Sequence, residues 1–265
     1  MDATLAKGLA VLDWLARQQR ACRVVEVARA LGITRSNAHR TLQTLVECGW
    51  ATQESSGGAY RAGWRVFELG SLVHSAADLR TLAHPHLAAL AQATGETIHL
   101  AVLDGAEIVY LDKIDGALPV VAYSRVGGRA PAACVASGKA ILAAVADPLP
   151  QLQARLGPLQ AHTPNSITDY PRLGAELART RARGYALNRE EWRLGVCGLG
   201  APVFDAQGHA VAAVGISVPS IRLARSRAHA LSERLLETAS RVAGALGHNP
   251  AAGAPPSHAT GRMAS

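Results

Sequence analysis

Residues 24–48 constrain the fold more than any other stretch. Val24, Val27, Ala28 and Leu31 recur at helical spacing, and Gly32 sits where a left-handed residue closes a helix. After Ile33, Thr34 can accept a backbone N–H as the N-cap of a following helix, which reads to about Cys48 before Gly49 stops it. Two helices joined by a three-residue turn containing glycine form a helix-turn-helix. At 100° per residue, Ala38, Thr41, Leu42, Leu45 and Val46 share one side of the second helix. Its other side carries Ser36, Asn37, Arg40, Gln43 and Thr44, with Thr34 and Arg35 at its start and His39 at its border. An uncharged polar face with one or two arginines can hydrogen-bond base edges and phosphates, whereas an ordinary solvated face is richer in Glu and Lys.

The flanking residues extend this unit. Leu5, Leu9, Leu12 and Leu15 place a stripe on a preceding helix over 4–17. Residues 50–54 and 59–62 can pair as a hairpin around Ser55-Ser56-Gly57-Gly58. That hairpin is a wing, and its Arg61 joins the candidate DNA-binding residues. Charge agrees with the placement. Residues 1–65 hold nine basic and five acidic groups, a net of +4, and the remaining 200 hold 18 and 15, a net of +3. A positively charged head suits a polyanion.

Other classes are disfavoured. The uncharged interval 206–221 contains Gln207, Gly208, His209, Gly215 and Pro219, which falls short of the ~20 apolar residues of a spanning helix. Asp2, Asp13 and Arg17 break up the first 20 residues, unlike a signal peptide. A cytoplasmic protein without membrane association is expected. Cys22, Cys48, Cys134 and Cys197 lack CxxC spacing and lie among apolar residues, as reduced structural thiols do.

Beyond the head, 64–78 reads as an apolar connector helix, and Pro85 interrupts the next helical stretch, so a further helix is expected over 85–93. Residues 97–103 and 108–112 form a hairpin across Asp104-Gly105-Ala106-Glu107, and 119–124 can supply a third strand. A helix containing Gly138-Lys139-Ala140 follows, then one over 170–183 capped by Thr168 or Asp169 and closed by Gly184. Strands read at 201–204 and 210–217, and a long helix at 223–246. Strands at both ends with helices between give an α+β fold on an antiparallel sheet. Residues 248–265, rich in Ala, Pro, Gly and Ser, read as a mobile tail.

In this order the chain resembles the isocitrate lyase regulator (IclR) family of bacterial transcription factors over residues 4–247. The resemblance rests on Ala6-Lys7-Gly8-Leu9, on Ser36-Asn37-Ala38-His39-Arg40-Thr41-Leu42, and on Gly127-Gly128 through Gly138-Lys139-Ala140. It continues through Thr163-Pro164, Thr168-Asp169, Arg183-Gly184-Tyr185-Ala186, Glu190-Glu191, Gly195-Val196 and Ala201-Pro202-Val203-Phe204-Asp205. It implies a winged helix-turn-helix over 1–63, a linker helix over 64–80 and a GAF-like effector-binding domain over 81–247. It also implies a homodimer or dimer of dimers on a palindromic double-stranded DNA operator, answering to a small metabolite. Carried over residue by residue, the effector site comprises Ala130, Ala136 and Ser137; Asn188, Val196 and Gly198; and Gly215 and Ser217. Asn188 stands where an acidic residue is common, and Gly198 and Gly215 where Cys or Ser occurs, so the family's known effectors do not transfer. Amides at the start of the Gly138-Lys139 helix suit a carboxylate, which makes a small organic acid, aromatic ones included, the expected effector. His99 and Tyr110 alternate onto one face of the hairpin, as core packing or as cavity lining.

The alternative is a small-molecule-processing enzyme with an accessory DNA-binding head; a purely architectural DNA binder is the third reading. The signals for catalysis are poor. The GxxxxGK[ST] pattern fails at Ala133 and Ala140, and Gly215-Ile216-Ser217-Val218-Pro219 lacks the last glycine of a hydrolase elbow. Adjacent Glu190 and Glu191 diverge on a strand, and His84-Pro85-His86 has no Cys or acidic neighbour in sequence. No catalytic residue, metal or cofactor is expected.

Overall fold

The computed structural model describes residues 2–18, 20–54, 58–71, 74–118 and 124–248. The chain divides into two compact units after Ala77.

The first unit comprises α1 (Ala3–Gln18), α2 (Val24–Leu31), α3 (Arg35–Glu47), the hairpin β1 (Ala51–Gln53) and β2 (Tyr60–Ala62), and α4 (Arg65–Ser71). Glu26 accepts the Arg23 N–H at 2.8 Å and so caps the start of α2. Gly32 closes α2 at φ 64°, and the N–H of Ile33 returns to the Ala28 carbonyl at 3.0 Å. Thr34 Oγ1 then accepts the Asn37 N–H at 3.3 Å and starts α3. Val11, Leu15, Val27, Ala38, Leu42 and Tyr60 form the core of this unit. The leucine stripe of α1 is its buried face only at the C-terminal end, where Leu15 is buried and Leu12 half-buried. Val11 and Leu15, one turn apart, point into the core, while Leu5 and Leu9 remain 61% and 59% exposed. Residues 55–57 of the expected hairpin turn lie outside the described residues.

The second unit is built on a six-stranded antiparallel sheet in the order β5-β4-β3-β8-β7-β6. Its elements are α5 (His74–Thr94), β3 (Thr97–Asp104), β4 (Glu107–Ile114), β5 (Arg129–Pro131), α6 (Ala136–Val145), α7 (Leu149–Leu156), α8 (Tyr170–Arg183), β6 (Ala186–Arg189), β7 (Val196–Phe204), β8 (Ala210–Pro219) and α9 (Arg225–Ala245). The two faces of the sheet differ in side-chain size. Leu199, Ala201 and Val203 of β7 with Val214, Ile216 and Val218 of β8 pack against Leu79, Leu87 and Leu90 of α5 and Leu235 and Val242 of α9. The alternate positions are Gly198, Gly200 and Pro202 on β7 and Ala213, Gly215 and Ser217 on β8, and this face of small residues receives α6. A Cβ on Gly200 would lie 2.5 Å from the Ala136 carbonyl carbon, and one on Gly215 would overlap Ser137 Oγ.

Several expectations are corrected. Pro85 does not interrupt a helix, because α5 runs through it. Proline removes only one backbone bond, and the buried Leu79, Ala83, Leu87 and Leu90 hold both sides of it in the core. Helix in the connector region covers 65–71 and then begins again at His74, with 72 and 73 outside the described residues. Of the expected strand at 119–124, residues 119–123 lie outside the described residues and Ser124 is not in a strand. The edge strand beside β4 is Arg129–Pro131. Cys48 is exposed rather than set among apolar residues. Residues 249–265 lie outside the described residues.

The glycine floor gives a prediction in which one substitution changes sign with position. Gly200→Ala should cost about 1–3 kcal/mol, because the added methyl meets α6 backbone that cannot yield. Gly174→Ala, in the interior of α8 with nothing within 4 Å of its Cβ position, should gain about 0.5–1 kcal/mol. Urea unfolding of both variants measures the pair.

Candidate functional site

In the first unit α3 turns its polar side outward. Thr34, Arg35, Ser36, His39, Arg40 and Thr44 are exposed, and Asn37 and Gln43 are half-buried. Asn37 Oδ1 accepts from the Arg40 guanidinium at 3.0 Å, which orients both side chains. Thr44 Oγ1 bonds back to the Arg40 carbonyl at 3.1 Å. Gln43 donates at 2.9 Å to the hydroxyl of Tyr60, a residue otherwise sealed in the core, so its amide nitrogen fastens α3 to the wing. Arg61 is paired with Glu54 on the neighbouring strand at 2.7 Å. Gln43 and Arg61 therefore have partners within the protein, while Arg35, Ser36 and His39 present themselves outward on the first turns of α3.

The second unit brings the sequence-derived effector residues onto the small-residue face. Register aligns Asn188 with Gly198 and Gly198 with Ser217 across β6, β7 and β8. Gly215 and Val196 lie two residues along on the same face. Ala136 and Ser137 open α6 directly above Gly200 and Gly215. Ala130, in β5 beside Ile108, belongs to the apolar cluster on this face. The N-cap of α6, Val135, supplies no side-chain bond, and the first N–H groups of a helix find no partner within it. Asn188 is buried and its Oδ1 accepts the Glu191 N–H at 2.9 Å, so its oxygen holds the following loop.

Sequence reasoning missed the strongest electrostatic feature here. Lys139 is fully buried, and its ammonium donates to both Glu191 oxygens at 2.6 and 2.7 Å. Ser166 Oγ in turn donates to the Glu191 carbonyl at 2.7 Å. Glu190 turns away at φ 62° and accepts the Gly195 N–H at 2.9 Å. Gly138 is required for this arrangement, since a Cβ there would collide with the Ala132 carbonyl. Cys134 lies close by, its thiol pushed up to about 11 by burial and by Glu191.

His99 and Tyr110 face this side with ring centroids 4.8 Å apart, and the His99 imidazole is hydrogen-bonded to Ser124. Burial, with Lys113 nearby, holds His99 neutral by lowering its pKa to about 4. Burial likewise pushes the Tyr110 hydroxyl up to about 12. His84, which has no acidic neighbour in sequence, meets the buried Asp112 at 2.6 Å in space. No group of three or more metal-ligating side chains occurs among the described residues, and no helix there is long and apolar enough to cross a membrane.

A winged helix-turn-helix followed by an antiparallel sheet with helices on both faces defines a DNA-binding transcriptional regulator. Residues 71–243 match the bacterial transcriptional regulator IclR C-terminal family, and residues 4–55 the IclR helix-turn-helix domain. The HTH-type transcriptional regulator XynR of Escherichia coli (strain K12) is 32% identical over 247 residues, covering 92% of this chain and 97% of that protein. The DNA-binding transcriptional repressor YiaJ of the same strain is 34% identical over 250 residues, covering 92% and 88%. Among solved structures, that of Thermotoga maritima IclR aligns with a TM-score of 0.77 at 34% identity over 92% of this chain and 99% of that one. An IclR homolog of Microbacterium hydrocarbonoxydans complexed with 4-hydroxybenzoate aligns with a TM-score of 0.79 at 26% identity, again over 92% and 99%. The chain belongs to the IclR family of bacterial transcriptional regulators.

The buried imidazole gives a pH prediction. The unfolded chain takes up a proton at His99 near pH 6.5, whereas the folded one resists until about pH 4. The unfolded state therefore binds more protons in that window, and stability falls on acidification through it. The loss should be on the order of 3 kcal/mol by pH 4. The stability difference between wild type and His99→Gln, measured by urea unfolding from pH 7 to 4, should shrink by that amount as pH falls.

Proposed function

We propose that this regulator binds a palindromic operator as a homodimer or dimer of dimers, and that a small organic acid bound in the second unit changes its operator affinity without being turned over. The observation that carries the DNA reading is the outward face of α3, where Thr34, Arg35, Ser36, Asn37, His39, Arg40, Gln43, Thr44 and the wing residue Arg61 offer hydrogen bonds with few competing acids. One recognition helix reads only a few base pairs, and a twofold partner reaches a second half-site one helical turn away. Leu5, Leu9, Phe67 and Leu69 are each more than half exposed in the first unit. Apolar surface of that kind supports pairing of heads.

The effector reading rests on the uncapped start of α6 above the row of Asn188, Gly198 and Ser217. A carboxylate there meets amides and the positive end of the helix dipole, and the half-buried Ser217 adds a hydroxyl. The homolog complexed with 4-hydroxybenzoate makes that compound the first to test. Binding without turnover is favoured over catalysis because the polar groups on this face are bonded to one another: Lys139 to Glu191, and His99 to Ser124. A cytoplasmic protein acting on DNA fits the same reading.

At fixed salt, Arg40→Ala should weaken operator binding by about 1–3 kcal/mol if it contacts a base, with relaxed sequence preference at one position. A uniform loss over all sequences would make it a phosphate contact. Unchanged affinity in a gel-shift titration would remove α3 from the interface. Ser217→Asp places a negative charge in the effector row, and 4-hydroxybenzoate should then no longer shift operator affinity while unliganded DNA binding stays intact. A response at the wild-type concentration would move the anion site elsewhere.

A further inference from the structure

A cavity of about 490 Å3 lies between α6, α8, β7 and α9 of the second unit. It is separate from the effector row. The row lies beneath Ala136 and Ser137, whereas the cavity is walled by Ala140, Ala143 and Ala144, one to two turns further along α6, about 5 to 10 Å at 1.5 Å per residue. Pro202 and Phe204 of β7 and Leu236 and Ala239 of α9 give it an apolar lining, and its volume falls within the range of small-molecule sites. Phe204 is held in place by His248, whose ring stacks on it at 5.5 Å and whose Nδ1 lies 3.0 Å from the Asp205 carbonyl.

One charge faces this lining. Four arginines occupy α8. Arg172 is paired with Asp169, and Arg179 and Arg183 both with Glu176. Arg181, which lines the cavity, has no acidic partner among the described residues. Its guanidinium donates once, to the Ala143 carbonyl at 3.3 Å. That bond caps the C-terminal end of α6 and leaves the other donors of the five-donor guanidinium without a hydrogen-bond partner among the described residues. An apolar wall with a single cation lacking an acid at its edge matches a molecule with an apolar body and one carboxylate.

We propose that this cavity is a second small-molecule site, which takes a monocarboxylate with an apolar chain or ring, its acid on Arg181 and its body against Phe204 and Leu236. The test uses the full chain with octanoate and 1-octanol in isothermal titration calorimetry. Octanoate should bind about 5-fold more tightly than the alcohol, the worth of an ion pair at an exposed guanidinium. Arg181→Gln, which keeps a donor for Ala143, should erase that preference and leave the alcohol unchanged. Ser240→Trp, at an exposed lining position of α9, should abolish both, with an unchanged melting temperature showing that the fold persists. Ser217→Asp should leave octanoate binding as it is. The proposal fails if octanoate does not bind, or if its binding is lost in Ser217→Asp but retained in Arg181→Gln. It also fails if octanoate binds only after removal of residues 249–265, which makes the chain's own end the occupant, or only on dilution, which makes a second copy the cover.

Discussion

The second unit depends on how closely the first turn of α6 approaches the sheet. Ordinary helix-on-sheet packing is spaced by side chains on both surfaces, but here the sheet side offers Gly198, Gly200 and Gly215. The Ala136 and Ser137 backbone therefore rests almost on the strands. The same closeness recurs at Gly138 against Ala132. Dense packing of this kind leaves no space for an added methylene, so the position of the α6 N-terminus is fixed by backbone contact rather than by side chains that could repack. A helix terminus held this rigidly can present uncapped amides at a constant place, which is what recognition of a small anion requires.

The rigidity has an electrostatic counterpart. Every residue of α6 from Ala136 to Ala143 is buried, so the ammonium of Lys139 is placed where an unpaired charge is very costly. Glu191 answers it from the loop between β6 and β7, and the carbonyl and amide of Glu191 are themselves engaged by Ser166 and Asn188. A buried pair of this kind is weak evidence for stability, because desolvation offsets the attraction. Its consequence is positional. The loop over 190–195 cannot leave α6 without stranding a charge in the interior, so the first turn of α6 and the end of β6 are tied together.

Much of this was legible in the sequence wherever the determinant is local. The α2–α3 turn follows from Gly32 and Thr34, and α8 from Asp169 and Gly184, because each cap acts within a few residues. The alternation Val214-Gly215-Ile216-Ser217 lies within the strand read at 210–217, whereas Gly198-Leu199-Gly200 is missed, because the strand reads from 201 and β7 begins at Val196. What stayed hidden joins residues far apart. Lys139 and Glu191 are 52 positions apart, His84 and Asp112 are 28, and Gln43 and Tyr60 are 17. A sequence shows such residues as separate polar groups and not as pairs. The short strands β5 and β6 exist because neighbouring strands recruit them, and α5 passes Pro85 because tertiary packing outweighs one missing hydrogen bond. The family resemblance assembled the effector row; without a fold, its members have no common periodicity.

These constraints bear on how a ligand in the second unit could regulate the first. Only a difference in ligand affinity between two arrangements of the protein can shift their balance, and a tenfold shift needs about 1.4 kcal/mol of that difference. The glycine floor and the α6 backbone are close-packed and cannot supply two arrangements. The segments that can are those which touch the row yet end at the surface. The loop over 190–195 is one of them: it follows β6 just after Asn188, is anchored by Glu191, and emerges at Arg193, Leu194 and Gly195, all exposed. A carboxylate at the α6 N-terminus would act on that loop through the Lys139–Glu191 pair, since adding a negative charge nearby alters the field in which the pair sits. Under the proposed function, regulation by an anion would rest on the same burial that makes the pair necessary, and a neutral ligand of equal size would fill the proposed site without exerting that leverage.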